Sequence, residues 1–117
     1  MKIMNEEIFG PLLPIMTFTD LQTTIDTINK HDKPLAAYYF GETKKEQETF
    51  LKQLYFGGGC INDTVIHVAG KSLPFGGVGH SGMGAFHGKY SFRNFSHEKP
   101  FINRSFWFDV PGRYAPY

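Results

Sequence analysis

Leu35 to Phe40 (Leu-Ala-Ala-Tyr-Tyr-Phe) is an unbroken apolar run of strand length, the pattern of a strand covered on both faces. Such a strand needs a packed layer on each side, so its flanking segments have to supply those layers. Upstream, Thr19 and Gln22 have capping-box spacing, and Leu21, Ile25 and Ile28 then recur on one helical face. That pattern predicts a helix of about three turns. Lys33-Pro34 ends it, because proline disfavours the α conformation in the residue before it. Downstream, Thr43 and Glu46 repeat the capping pattern, and Phe50, Leu51 and Leu54 form a second apolar stripe. Gly57, Gly58 and Gly59 close that helix, and Cys60-Ile61-Asn62 has the length of another short strand. Ahead of the unit, Leu12 to Phe18 is a further apolar run, with Pro14 arguing for an edge strand or one that begins near it. The predicted order is strand, helix, strand, helix, strand. This is an α/β chain with a partial parallel sheet joined by right-handed crossovers.

Beyond Asn62 the period fades. Val68 to Gly88 is rich in glycine and predicts a shaped loop with one helical turn. Lys99 to Tyr117 carries Phe101, Trp107, Phe108, Tyr114 and Tyr117, which is too aromatic for a disordered tail. The chain therefore divides into a body, 1–98, and a tail, 99–117. A length of 117 residues with 41% apolar content suits a single modest core. A net charge of +1 gives no field to attract nucleic acid or anionic lipid. The chain has no apolar core of signal-peptide length and no window near the roughly 20 residues of a membrane span. Its single cysteine excludes an internal disulfide framework and suits a reducing compartment. The expectation is a soluble, cytoplasmic chain.

Several motifs invite chemistry. Gly77, Gly79 and Gly82 match the G-x-G-x-x-G dinucleotide fingerprint, but no strand precedes them and a glycine-broken segment follows. A turn placed close to a ligand or to other backbone fits better. Ser81 fails the G-x-S-x-G nucleophile elbow because Met83 stands where the second glycine belongs, which leaves a turn serine bonding nearby backbone. His31, His67, His80, His87 and His97 lack metal-ligand spacing, so they read as surface or structural residues, His87 as a buried and hydrogen-bonded one. No metal site is expected. Cys60 follows three glycines with no visible cation, helix N-terminus or paired histidine, and reads as a small buried hydrophobe. Glu6 to Pro11 (Glu-Glu-Ile-Phe-Gly-Pro) sets an acid and a ring before a tight turn. The acid is able to accept bonds from two sugar hydroxyls and the ring to pack on a planar heterocycle, unless the segment is a solvated acidic terminus with Phe9 in the core.

Taken in order, Glu6 to Pro11, Asn62-Asp63 and Leu73 to Gly84 (Leu-Pro-Phe-Gly-Gly-Val-Gly-His-Ser-Gly-Met-Gly) resemble the aldehyde dehydrogenase superfamily. His87 to Phe92 and Phe95-Ser96-His97 are most similar to its class 3 branch of fatty and aromatic aldehyde dehydrogenases. The resemblance implies the C-terminal part of the catalytic domain. It assigns Glu7 and Phe9 to the nicotinamide ribose of NAD or NADP and Phe75 to the wall of the aldehyde tunnel.

It further implies oxidation of aldehydes to carboxylic acids through a cysteine thiohemiacetal and thioester. The family's nucleophilic cysteine and water-activating glutamate precede the Glu-Ile-Phe-Gly-Pro motif, so no catalytic residue is expected here and the isolated chain should be inactive. Cys60 does not inherit the nucleophile's role. The tail would be a homo-oligomerisation strand without a membrane anchor, and the chain a truncated frame or an expressed piece. The alternative is a stand-alone binding or oligomerisation module. An in-frame upstream segment bearing the cysteine would distinguish the two.

Overall fold

The computed structural model describes residues 6–109, 112 and 113. The apolar run forms strand β1 (Ala36–Tyr39), helix α2 (Lys44–Gln53) follows it, and β2 (Gly58–Ile61) returns in parallel beside β1. Helix α1 (Leu21–Ile28) precedes this unit and α3 (Gly88–Asn94) comes after it. The register pairs Ala37 with Gly59, Tyr38 with Cys60 and Tyr39 with Ile61. Because side chains alternate along a strand, Ala37, Tyr39 and Ile61 share one face and Tyr38 and Cys60 the other.

The first face carries the core. Ile25 from α1 and Phe50 and Leu54 from α2 are buried, with Leu21, Ala37, Tyr39, Phe56 and Ile61 packed around them. Phe50 lies between Tyr39 and Phe56, at centroid distances of 5.5 and 5.2 Å. Two asparagines tie the connections down. Asn29, just after α1, donates to the Gln53 carbonyl (2.7 Å) and accepts from the Tyr55 amide (3.1 Å), clipping the end of α1 to the end of α2. Asn62 accepts from the Gly41 amide (2.8 Å) and donates to its carbonyl (3.1 Å), joining the exit of β2 to the exit of β1. Its φ of 57° is a left-handed conformation that asparagine tolerates better than most residues.

Helix α1 begins differently from the Thr19–Gln22 capping box. Asp20 is the N-cap, and its carboxylate accepts from both the Thr23 amide and the Thr23 hydroxyl, each at 2.6 Å, while Gln22 turns to Asp26. A carboxylate is a stronger acceptor than a hydroxyl, so the cap moves one residue along. These bonds from Thr23 hold Asp20 below the ordinary carboxylate range. They stabilise the ionised form, so their contribution is complete above that range and is lost as pH falls through the lowered pKa of the folded state. Helical circular dichroism should therefore show an acid-side step that Asp20→Ala removes; an identical titration in the variant would contradict this cap. At α2 the second box also fails to close. Thr43 is the N-cap but its side chain makes no capping bond, and the Glu46 carboxylate accepts from the Tyr39 hydroxyl at 2.8 Å. That bond raises the Tyr39 pKa, with burial and the Glu46 charge adding to it.

Three further expectations change. Leu12 to Phe18 is not a strand: the segment makes no ladder with β1 or β2, and Leu12, Leu13, Ile15, Met16 and Phe18 are exposed. Apolar content favours a strand only where a neighbour supplies backbone partners. The three glycines do not close α2, which ends at Gln53; Gly58 and Gly59 lie within β2, where a Cβ on Gly59 would run into the Ala37 carbonyl. Helix α3 was hidden because it opens on His87 and Gly88, at φ 90° and 47°, without an N-cap side chain of the usual kind. Ser91 compensates from inside the helix by accepting from the His87 amide at 2.9 Å.

Among the described residues 99–109 no strand forms, and Phe101, Ile102, Phe106, Trp107 and Phe108 are exposed. Tyr114 and Tyr117, and with them the end of the expected oligomerisation strand, lie outside the described residues. The radius of gyration is 22.1 Å, against about 13 Å for a compact chain of this length. No helix among the described residues is long and apolar enough to cross a membrane.

Candidate functional site

The second face of the sheet is covered by the segment after β2, which carries Phe75 and the glycine-rich motif. A 3-10 turn (Ile66–Ala69) sets the His67 ring over β1 and β2, edge-on to Tyr38 at 5.7 Å and with Nδ1 3.6 Å from Cys60 Sγ. Phe75 comes next to the same ring, at 5.8 Å. A two-bond bridge fixes its backbone: the Phe75 amide donates to the Phe86 carbonyl (3.1 Å) and the Phe86 amide to the Phe75 carbonyl (2.9 Å). The Phe86 and His87 rings then flank Phe75 at 5.4 and 6.3 Å.

The glycines between the bridged residues allow this fold-back. A Cβ on Gly76 would strike the Gly84 carbonyl, and one on Gly77 would strike the Ser81 carbonyl, both of them backbone atoms with nowhere to go. Gly79 to Ser81 is a 3-10 turn, and Ser81 Oγ accepts from the Val78 amide (2.9 Å) and donates to its carbonyl (3.0 Å). Ser81 is thus a turn serine, and its hydroxyl is committed to backbone. Beside the turn lies an open cleft of about 290 Å³, bordered by Leu35, Phe75, Met83, Phe86 and Asn94. His80, at the turn's outer side, meets Asp32 at 3.0 Å in solvent.

Cys60 differs from its sequence reading as a small buried hydrophobe without a paired histidine. It is half-buried in β2 and contacts an imidazole seven residues on, a partner brought by the 3-10 turn rather than by local spacing. His87 differs as well. Its Nδ1 is buried without a partner among the described residues, and the hydrogen bond expected of its ring is made by its backbone amide. Among the described residues no group of three or more His, Cys, Asp or Glu converges as a metal cage would require.

The predicted ligand residues are not brought together. Phe75 is half-buried in its ring cluster, whereas Glu7 is exposed and Phe9 is 91% exposed, so Phe9 packs against almost nothing in this chain. They sit two residues apart in a segment outside any helix or strand, with the Phe9 ring uncovered.

The comparisons with known proteins agree with these motifs. The chain matches the family described as the aldehyde dehydrogenase family over residues 1–101, and it belongs to that family. It is 53% identical over 115 residues to aldehyde dehydrogenase family 3 member H1 of Arabidopsis thaliana, covering 98% of this chain and 24% of that one. Coniferyl aldehyde dehydrogenase of a Pseudomonas species is 54% identical over 105 residues, covering 90% and 22%. Both fit the class 3 branch. The substrate-bound structure of Staphylococcus aureus AldH superposes with a TM-score of 0.83 at 49% identity, over 97% of this chain and 25% of that one. The chain spans about a quarter of the length of the curated relatives it matches.

Proposed function

We propose that this chain is the part of an NAD(P)-dependent aldehyde dehydrogenase that carries cofactor-ribose contacts and one wall of the aldehyde site, and that it is inactive by itself. The observation that carries this reading is the superposition of 97% of the chain on a quarter of a substrate-bound enzyme. The residues present suit a dinucleotide. Glu7 offers acceptor oxygens to the two hydroxyls of a ribose, and the exposed face of Phe9 offers a surface for the nicotinamide end. When bound, the cofactor supplies hydride acceptance for the oxidation. Phe75, held by the bridge and its ring neighbours, presents an apolar wall that orients an aldehyde and excludes water.

In this reading the tail, 99–117, in which Phe101, Ile102, Phe106, Trp107 and Phe108 are exposed, is the oligomerisation segment, and the protein works in the cytoplasm. The assignment of Phe9 is tested in the chain rejoined to the remaining portion of a related enzyme. Phe9→Ala is expected to raise the cofactor KM roughly tenfold, the equivalent of ~1.4 kcal/mol of lost ring packing. A cofactor KM equal to wild type would remove Phe9 from the site.

A further inference from the structure

His67 occupies a position for which neither the cofactor nor the aldehyde contacts account. Its ring is lodged among three elements: Tyr38 of β1 at 5.7 Å, Cys60 of β2 through Nδ1 at 3.6 Å, and Phe75 of the glycine-rich segment at 5.8 Å. Gly58 leaves room for it, since a Cβ there would lie 3.1 Å from His67 Cδ2. Among the described residues the ring's Nε2 is buried and has no hydrogen-bond partner. Its bond to Cys60 fixes the ring's direction, and the flat faces and edges make the remaining contacts.

Phe75 has no polar atom with which to fix its own side chain. The backbone bridge to Phe86 sets where its Cα lies but leaves the ring's rotation to its neighbours. Of the neighbouring rings, Phe86 and His87 belong to the same fold-back as Phe75 and move with it. His67 alone among these three is tied to the sheet.

We propose that His67 is a positioning residue that orients the Phe75 ring against the β1–β2 sheet, through ring contact, and so sets the shape of the aldehyde wall. Its consequence for catalysis rests on the reading of Phe75 as that wall. The contact also suggests the kind of specificity involved. A wall held at one angle discriminates among bulky aldehydes, which touch it, and is indifferent to short ones.

The test has two arms. In the full chain with ring-labelled phenylalanine, the Phe75 signals are identified by their loss in Phe75→Leu and measured by NMR. Neighbouring rings are expected to displace them from random-coil positions, His67→Ala to move them, and His67→Phe, which keeps a flat ring, to restore them most of the way. Wild-type signals at random-coil positions, signals unmoved by His67→Ala, or equal displacement in both variants would overturn the proposal. In the enzyme rejoined to its remaining portion, His67→Ala is expected to raise KM for a bulky aromatic aldehyde several-fold while sparing KM for a short aliphatic one. Phe75 signals that move without that KM split would uphold the positioning and overturn the reading of Phe75 as the aldehyde wall.

Discussion

Phe50→Ala is expected to abolish the cooperative thermal transition of the chain. Phe50 is one of three buried core residues among the described residues, 5% exposed, and bridges Tyr39 of β1 to Phe56 before β2. Truncating a buried phenylalanine costs about 3–5 kcal/mol, from lost transfer energy and from the cavity left behind. That approaches or equals the whole stability of a small domain, and among the described residues this core has only Ile25 and Leu54 besides Phe50 to resist it. Circular dichroism on heating checks it. A variant that melts as the wild type does would mean that the packing between α2 and the sheet is not what holds the chain.

The central unit was legible from the sequence because two periodicities agreed there. The apolar run from Leu35 to Phe40 and the stripe at Phe50 and Leu54 require each other, and β1, α2 and β2 appear within a few residues of where those patterns place them. Leu12 to Phe18 shows what periodicity leaves out. Its composition is that of a strand, yet strand formation is a property of a pair, and here the segment stays outside any ladder with its apolar side chains uncovered.

The site was legible in its parts and not in its assembly. Phe75 stands out through its motif, but the Cys60–His67 contact depends on a 3-10 turn that begins after Val65 at φ 61°, a conformation no local rule assigns to a β-branched residue. The Asn62 clip was equally hidden, although Asn62 belongs to a motif, because its partner Gly41 lies 21 residues earlier. Helix α3 has no start signal in the sequence because its N-terminal bond comes from Ser91, inside the helix, and not from a residue before it.

Phe9, Leu13, Ile15, Ile102, Phe106, Trp107 and Phe108 are each at least 80% exposed, and so extensive an apolar surface is unusual for a soluble domain acting alone. In the S. aureus enzyme the matched quarter superposes along nearly the whole of this chain, so the extended conformation is shared with a protein four times its size. On the proposed function these side chains would be covered by the rest of the enzyme. Taking them out of water would drive association, at roughly 25 cal/mol for each Å² of apolar surface buried. A stand-alone module would instead keep them in contact with solvent.

The most direct measurement is the rate of nicotinamide cofactor reduction in the presence of an aldehyde. It is made with the purified chain, with the separately expressed remaining portion of a related aldehyde dehydrogenase, and with the two mixed. Turnover in the mixture and in neither component is the predicted result. Turnover by this chain alone, or none in a mixture whose two parts are shown to bind each other, would contradict the account.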